Sequence, residues 1–355
     1  MQVIFVIVSM AGGGAERVIS ILANQFVRQD IGVTIMMTAG NEVAYQLDKR
    51  VQLVSVGGTS GGSMVRRVKR LARMRRIFKQ QKAAVIISFG PGTSFFAVTA
   101  ALFLKNRFII SERNDPAICP YPRLRNLIYS RASRLVFQTG MAAMCFPEIL
   151  QKRGCVIGNP LDENLPSIEI EKVDRRLEIV AVGRLDPQKN YALLLEAFSI
   201  FIRKIRVAYQ LTIYGKGNQL HDLRKQADSL GISDQVIFAG FENDVLEKIK
   251  DSAMYVLSSD YEGIPNSLLE AMAVGLPVIA TDCPIGGAAA LIQDGENGIL
   301  VPVGDAKAIA NAMFMIAQNP QKAKEMGEAA LKVCERYSVN VIAKLWLDEI
   351  RKVIK

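Results

Sequence analysis

Cysteine and histidine are scarce in this chain, and each shortage closes off a chemistry. The 355 residues hold five cysteines and one histidine. The cysteines (Cys119, Cys145, Cys155, Cys283, Cys334) are scattered, odd in number and never in CxxC spacing. That argues against a disulfide framework and a structural zinc site, and fits a reducing compartment. The lone histidine, His221, lies in the polar stretch Leu220-His-Asp-Leu-Arg and is expected at the surface. Long apolar runs are also missing. The longest, Phe95 to Leu104, is too short to span a bilayer. The N-terminus, Met1-Gln-Val-Ile-Phe-Val-Ile-Val-Ser, has no basic n-region and reads as a buried first strand. These absences lead us to expect a cytosolic protein, or one bound to the cytosolic membrane face.

What is present is half hydrophobic, long enough for two cores, and alternates strand-like apolar runs with helical stretches throughout. That pattern predicts α/β architecture with parallel sheets. Strands are predicted at 3–8, 32–37, 51–56, 84–89, 107–111 and 134–137, with helices including 15–29, 64–82, 93–104 and 140–150. A second series of strands spans 177–182, 208–214, 235–239, 254–258, 277–280 and 298–301. We therefore expect a first domain over 1–160, a polar linker over 161–176, a second domain over 177–336, and a closing helix over 337–355 that packs back on the first. Two doubly wound domains leave a cleft between them, a natural place for a ligand. Charge divides with the domains. Residues 1–160 carry 22 Lys+Arg against 7 Asp+Glu, a net of +15, whereas the remainder nets −5. The first half suits an anionic partner.

The most informative segment is Glu262-Gly-Ile-Pro-Asn-Ser-Leu-Leu-Glu270. A strand-like run, Ala253 to Leu257, precedes it, and Pro265-Asn266-Ser267 opens an apolar helical run. Free N–H groups at that helix start can hold a phosphate. The two acids cannot, and are left for hydroxyls. Phosphate beside hydroxyls describes a sugar nucleotide. Val182-Gly-Arg-Leu-Asp-Pro-Gln-Lys-Asn190 places Arg184 and Lys189 at another strand end, where ligands bind in open α/β sheets. A surface pair of solvated cations is the plainer alternative. Gly183, and Gly215 and Gly217 in Ile213-Tyr-Gly-Lys-Gly-Asn218, leave room for close approach of backbone to a nucleotide. Gly240-Phe241 is a further strand end. Ala11-Gly-Gly-Gly-Ala-Glu-Arg17 lacks GxGxxG spacing, and Asp30 comes too early for a ribose acid, which counts against NAD. A flexible glycine turn facing the cleft is the better reading for Gly13 and Gly14.

In their order and spacing, Gly-Gly-Gly-Ala-Glu-Arg at 12–17, Gly-Arg-Leu-x3-Lys-Asn at 183–190, Gly-x-Gly at 215–217 and E-x7-E at 262–270 resemble family 4 of the GT-B retaining glycosyltransferases. The resemblance covers essentially the whole chain. Ser111-Glu-Arg-Asn-Asp-Pro116 and Val136-Phe-Gln-Thr139 further resemble bacterial hexosyl- and N-acetylhexosaminyltransferases that build surface glycans, some on polyprenyl diphosphates. The resemblance implies two Rossmann-like domains facing a central cleft, a UDP-sugar donor and a lipid-linked glycan acceptor. It implies catalytic roles for Arg184, Lys189 and Glu262. Charge growing on the β-phosphate would meet Arg184, Lys189 and the N–H groups of Ser267, Leu268 and Leu269. Glu262 would touch donor-sugar hydroxyls and Glu270 the ribose, with Gly13, Gly14, Gly183, Gly215, Gly217, Phe241 and Asn266 completing the donor site. No DxD triplet occurs, so neither metal nor other cofactor is expected. Many relatives carry a first-domain histidine near the reacting sugar. Here Glu112 and Arg113 stand at its counterpart, on the acceptor side, and the leaving phosphate can itself take the acceptor's proton.

Met64 to Lys82 holds nine cations and no acid. At 100° per residue, Val65, Val68, Leu71, Ala72 and Phe78 share one side and Arg66, Lys69, Arg70, Arg73 and Arg76 the other. Such a helix suits an anionic membrane surface or an acceptor's diphosphate. The plain reading packs Val65, Val68 and Leu71 on the sheet. No aromatic interleaving supports nucleic acid. Two other functions compete: a GT-B sugar-nucleotide epimerase, and a non-catalytic membrane-binding protein on a transferase scaffold.

Overall fold

The computed structural model describes residues 1–57, 63–166 and 174–354. The chain divides into two units, Met1–Asp162 with Tyr337–Lys355, and Glu163–Arg336. Of the linker expected at 161–176, residues 167–173 lie outside the described residues.

The first unit is built on a seven-stranded parallel sheet in the order β3-β2-β1-β4-β5-β6-β7. Its strands are β1 (Gln2–Ile7), β2 (Gly32–Met37), β3 (Gln52–Ser55), β4 (Val85–Phe89), β5 (Arg107–Ser111), β6 (Arg134–Phe137) and β7 (Gly154–Val156). A parallel sheet is covered on both faces, so its central strands are apolar without alternation. Ile4, Phe5, Val6, Ile86 and Ile87 are accordingly buried. The helices are α1 (Gly14–Arg28), α2 (Ser63–Gln80), α3 (Pro91–Ala100), α4 (Pro122–Tyr129), α5 (Gly140–Met144) and α6 (Glu148–Gln151). The single helix expected at 140–150 is thus two, broken before Pro147, which cannot continue a helix. Helix α2 packs beside α3, and α3 beside α4.

The second unit carries a six-stranded parallel sheet in the order β10-β9-β8-β11-β12-β13. Its strands are β8 (Arg176–Val182), β9 (Gln210–Tyr214), β10 (Val236–Gly240), β11 (Ser252–Leu257), β12 (Val278–Thr281) and β13 (Ile299–Val301). Helices α7 (Tyr191–Lys204), α8 (Leu220–Leu230), α9 (Val245–Ile249), α10 (Asn266–Ala273), α11 (Ala306–Gln318), α12 (Pro320–Ala330) and α13 (Val333–Arg336) surround it. Leu194, Phe198 and Phe201 of α7 and Ile309 and Met313 of α11 share a core with Ile179 and Met254 of the sheet.

The last helix, α14 (Val339–Ile354), belongs to the first unit and packs against α1. Gln25 donates to Asn340 Oδ1 at 2.6 Å and Arg134 pairs with Glu349 at 2.6 Å. Its Trp346 is fully buried and stacks on Phe89, with ring centroids 5.9 Å apart. None of the helices among the described residues is long and apolar enough to cross a membrane.

Candidate functional site

Two loops leave the carboxyl ends of the neighbouring strands β8 and β11 and are laced together. The first turns tightly through Pro187–Lys189 and ends at Asn190, a left-handed residue (φ 45°) whose side chain caps α7 by accepting from Leu193 N. Asparagine tolerates that backbone and supplies the cap oxygen. The second runs from Ser258 to Pro265 and opens α10. Asn190 Nδ2 donates to Asp260 Oδ1 at 2.7 Å, Gln188 Nε2 to the Tyr261 carbonyl at 2.9 Å, and Asp260 N to the Gln188 carbonyl at 2.9 Å. Ser258 Oγ donates to the Lys189 carbonyl at 2.8 Å.

At the centre, Lys189 Nζ lies 2.6 Å from Glu262 Oε1, and Ser259 Oγ donates to the same oxygen at 2.9 Å. The two side chains are only 13% and 10% exposed. Lys189 and Glu262 are therefore one unit, an ammonium held by a carboxylate in a half-dry setting. Arg184 differs. Its side chain is 70% exposed and its Nη2 lies 3.2 Å from Asp186 Oδ2. The other Asp186 oxygen is buried without a hydrogen bond. Glu270 is buried on α10, one turn past the helix start. The Ser267 hydroxyl is shared with Tyr255 Oη at 2.8 Å, and burial pushes that phenol above its ordinary range. Leu268 and Leu269 turn their side chains into the core, and Leu269 N already donates to the Pro265 carbonyl.

The glycines have a reason the sequence did not suggest. A Cβ on Gly215 would sit 1.8 Å from the Gly183 carbonyl oxygen, and one on Gly217 2.1 Å from that of Leu185. A Cβ on Gly183 would lie 2.8 Å from Lys189 Cε. The space that a side chain would need at these three glycines is taken by the protein's own backbone and by the Lys189 stem. Beyond β10, Phe241 is exposed, with Lys216 Nζ 5.9 Å from its ring centroid.

Sequence reasoning missed one neighbour, the segment Cys283-Pro-Ile-Gly-Gly287. A Cβ on Gly287 would fall 1.6 Å from the Gly263 carbonyl oxygen, so this loop props the one that carries Glu262. Ile285 there is left-handed (φ 64°), a conformation a β-branched side chain resists. Burial, then the Glu262 charge, pushes the Cys283 thiol up to about 12. The signal available was the Pro-x-Gly-Gly string directly after a strand.

In the first unit the Gly12–Gly14 turn is held, not loose. The Tyr45 hydroxyl donates to the Gly13 carbonyl at 3.1 Å and lies 3.3 Å from Gly13 N. Glu112 is buried. It accepts from Tyr129 Oη at 2.8 Å and from Arg113 N at 3.0 Å. Arg113 lies flat against Phe89 and Trp346, 4.5 and 5.6 Å from their centroids, and donates to Asn159 Oδ1 at 2.8 Å. Its Nε and Nη2 are buried without partners, and burial pulls the guanidinium down to about 9. Both residues thus take these contacts from their own unit, Glu112 buried and Arg113 half-buried.

Burial pushes the Glu112 carboxyl above its ordinary value of 4.5, while Tyr129 and the two following amides pull it back. An acid raised in the fold weakens stability once it is charged, so the loss sets in as pH climbs from 4.5 through the raised value. Glu112→Gln is expected to gain on wild type over that climb. Urea midpoints of both proteins at about pH 4 and about pH 8 check this; a difference that does not change with pH refutes it.

Helix α2 buries Met74 and Phe78, whereas Val65 and Val68 are 49% and 61% exposed. The plain packing of Val65 and Val68 on the sheet is thereby corrected. Arg70 lies 4.9 Å from the Phe96 centroid with its Nε buried and unpartnered, and Arg73 donates to the Gly57 carbonyl at 3.2 Å. Arg66 and Arg70 line a pocket of about 260 Å³ with Thr38, Gly40, Asn41 and Ser55, at the carboxyl ends of β2 and β3. His221 is exposed.

Comparison with known proteins finds two family models. One described as glycosyl transferases group 1 matches residues 167–333, and one described as glycosyltransferase family 4 matches residues 12–146. A relative from Campylobacter jejuni, named GalNAc-alpha-(1->4)-GalNAc-alpha-(1->3)-diNAcBac-PP-undecaprenol alpha-1,4-N-acetyl-D-galactosaminyltransferase, is 28% identical and covered over 99% of both chains. A second from that organism, an N-acetylgalactosamine-N,N'-diacetylbacillosaminyl-diphospho-undecaprenol 4-alpha-N-acetylgalactosaminyltransferase, is 23% identical over 87% of each. Among solved structures, Anabaena HepE in complex with UDP-glucose matches with a TM-score of 0.85 at 19% identity, over 99% of this chain and 100% of that one. At that identity the likeness speaks for the fold.

Proposed function

We propose that this chain, which belongs to the family 4 glycosyltransferases of the GT-B fold, moves a hexose or N-acetylhexosamine from a UDP-sugar to a lipid-linked glycan, with retention and without a metal. The observation that carries the reading is the Lys189–Glu262 contact between the two strand-end loops, beside the start of α10. As the bond from the anomeric carbon to the β-phosphate oxygen breaks, negative charge moves onto the diphosphate. Lys189, the α10 N–H groups and Arg184, once it leaves Asp186, stabilise that charge. Glu262 orients the sugar through its hydroxyls while holding Lys189, and Glu270 takes the ribose. The acceptor oxygen joins the face the phosphate leaves, and its proton goes to the departing phosphate oxygen.

The donor class is supported by the UDP-glucose complex of HepE, and the acceptor class by the undecaprenyl diphosphates named for the Campylobacter relatives. In this chain the Arg66–Arg70 pocket offers two guanidinium groups to an acceptor's diphosphate, with Arg73 adjacent. Peripheral attachment to the cytosolic face of a membrane, through α2, completes the reading.

Melting-temperature shifts with a panel of UDP-sugars, with and without EDTA, identify the donor. Transfer to a polyprenyl-diphosphate glycan, with the product anomer read by NMR, tests the reaction. Conversion of a UDP-sugar in the absence of acceptor would make the protein an epimerase instead. Glu270→Ala should weaken UDP binding about 10- to 100-fold, the size of a charged hydrogen bond, as read by calorimetry. Unchanged affinity sinks the ribose assignment.

A further inference from the structure

Phe103 is 98% exposed and sits in a left-handed backbone conformation (φ 63°). Neither property suits an aromatic residue in water. Its position is held in place: Arg75 of α2 donates to the carbonyls of Ala100 at 3.0 Å and Leu102 at 2.7 Å, and Asn106 Nδ2 donates to the Phe78 carbonyl at 3.2 Å. The turn between α3 and β5 is thus tied to α2, and it presents Leu102 and Phe103 outward. Val65 and Val68 of α2 are exposed as well, with Lys69, Arg76 and Lys79. From Val51 to Ser111 the chain has 11 cations and no acid. An apolar tip tied to a helix whose exposed face carries cations complements an anionic bilayer, where a ring enters the acyl boundary and ammonium and guanidinium groups meet headgroups.

We propose that the Leu102–Phe103 tip is a membrane anchor that inserts into an anionic bilayer while α2 lies in the interface beside it. The proposal rests on the reading that this transferase works at a membrane, and it names the residues that enter the lipid. It does not depend on the donor site.

The test uses the full-length protein and Phe103→Trp. The only native tryptophan, Trp346, is fully buried and supplies a constant background. With phosphatidylglycerol-containing vesicles, emission from the introduced indole should shift to the blue and be quenched by lipids brominated on the acyl chain. Neither change should occur with pure phosphatidylcholine, and salt should reverse both. Phe103→Ser should weaken vesicle binding about 10- to 100-fold, the worth of burying one aromatic side chain, with its melting-temperature shift by UDP-sugar intact. Vesicle binding without a shift at position 103 overturns the anchor and leaves α2 as the sole contact. A blue shift that depends on protein concentration without vesicles also overturns it, in favour of a second copy of the chain. Loss of the UDP-sugar shift in wild type counts against the transferase reading alone.

Discussion

Lys189→Ala is expected to lower the rate of sugar transfer by about 10²–10³-fold, the loss typical of one preorganised donor facing transition-state charge. The ammonium is well placed for this. It is largely dry, so its field is weakly screened, and its stem packs against Gly183. Its partner Glu262 holds it from the far side, with Ser259 steadying the shared oxygen. Removing the lysine leaves a partly buried carboxylate with the serine alone, which costs about 1–3 kcal/mol of stability. A melting curve therefore has to accompany the kinetics. Lys189→Arg is not a conservative control, because a planar fork does not fill the space of a compact ammonium. Glu262→Gln should also be severe, and the double variant should fall little below the worse single one, since the two residues act as a unit. Wild-type kcat in folded Lys189→Ala would remove the pair from the chemistry.

How far the sequence reaches is clearest at that pair. Glu262, Arg184 and Lys189 were readable as charges at strand ends and Glu270 as an acid in the helical run that follows, and the start of α10 was readable from Pro265. That Lys189 would join Glu262 while Arg184 turned to Asp186 was not, because both depend on how two loop backbones lie across each other. The interior strands were legible because both of their faces are covered and their residues are apolar in unbroken runs. Strand β7 has only three residues, and α4 begins at a proline that reads as punctuation, so neither stood out. Helix α2 shows a different limit. Periodicity sorted its faces, but its 18 residues span about 27 Å, against roughly 16 Å for the five of β4. Length beyond the sheet leaves the first turns uncovered, so Val65 and Val68 stay exposed while Met74 and Phe78 are buried.

Gly215→Ala should be the most damaging small substitution in the second unit, destabilising it by about 2–6 kcal/mol. Two effects add. The residue has φ 147°, which a side chain resists at about 1–3 kcal/mol. The new methyl carbon would also stand 1.8 Å from the Gly183 carbonyl oxygen, a contact with backbone that no rotamer change relieves, and overpacking of this kind costs about 1–3 kcal/mol or more. Against a total of about 5–15 kcal/mol, the sum is a large fraction of the fold. The strain also has a direction. Gly183 leads into Arg184 and packs on Lys189, so a displaced Gly183 carbonyl moves the loop that carries both cations even in molecules that remain folded. Gly231→Ala separates the two effects. Gly231 is likewise left-handed (φ 70°), at the end of α8, but no atom lies within 4 Å of its would-be Cβ. It should lose only the conformational term, about 1–2 kcal/mol, and bind UDP-sugar as wild type does. Urea unfolding of the two variants measures the difference. If Gly215→Ala costs no more than Gly231→Ala, the tight backbone contact between the β8 and β9 loops is not what demands glycine there, and a bound nucleotide becomes the better reason for it.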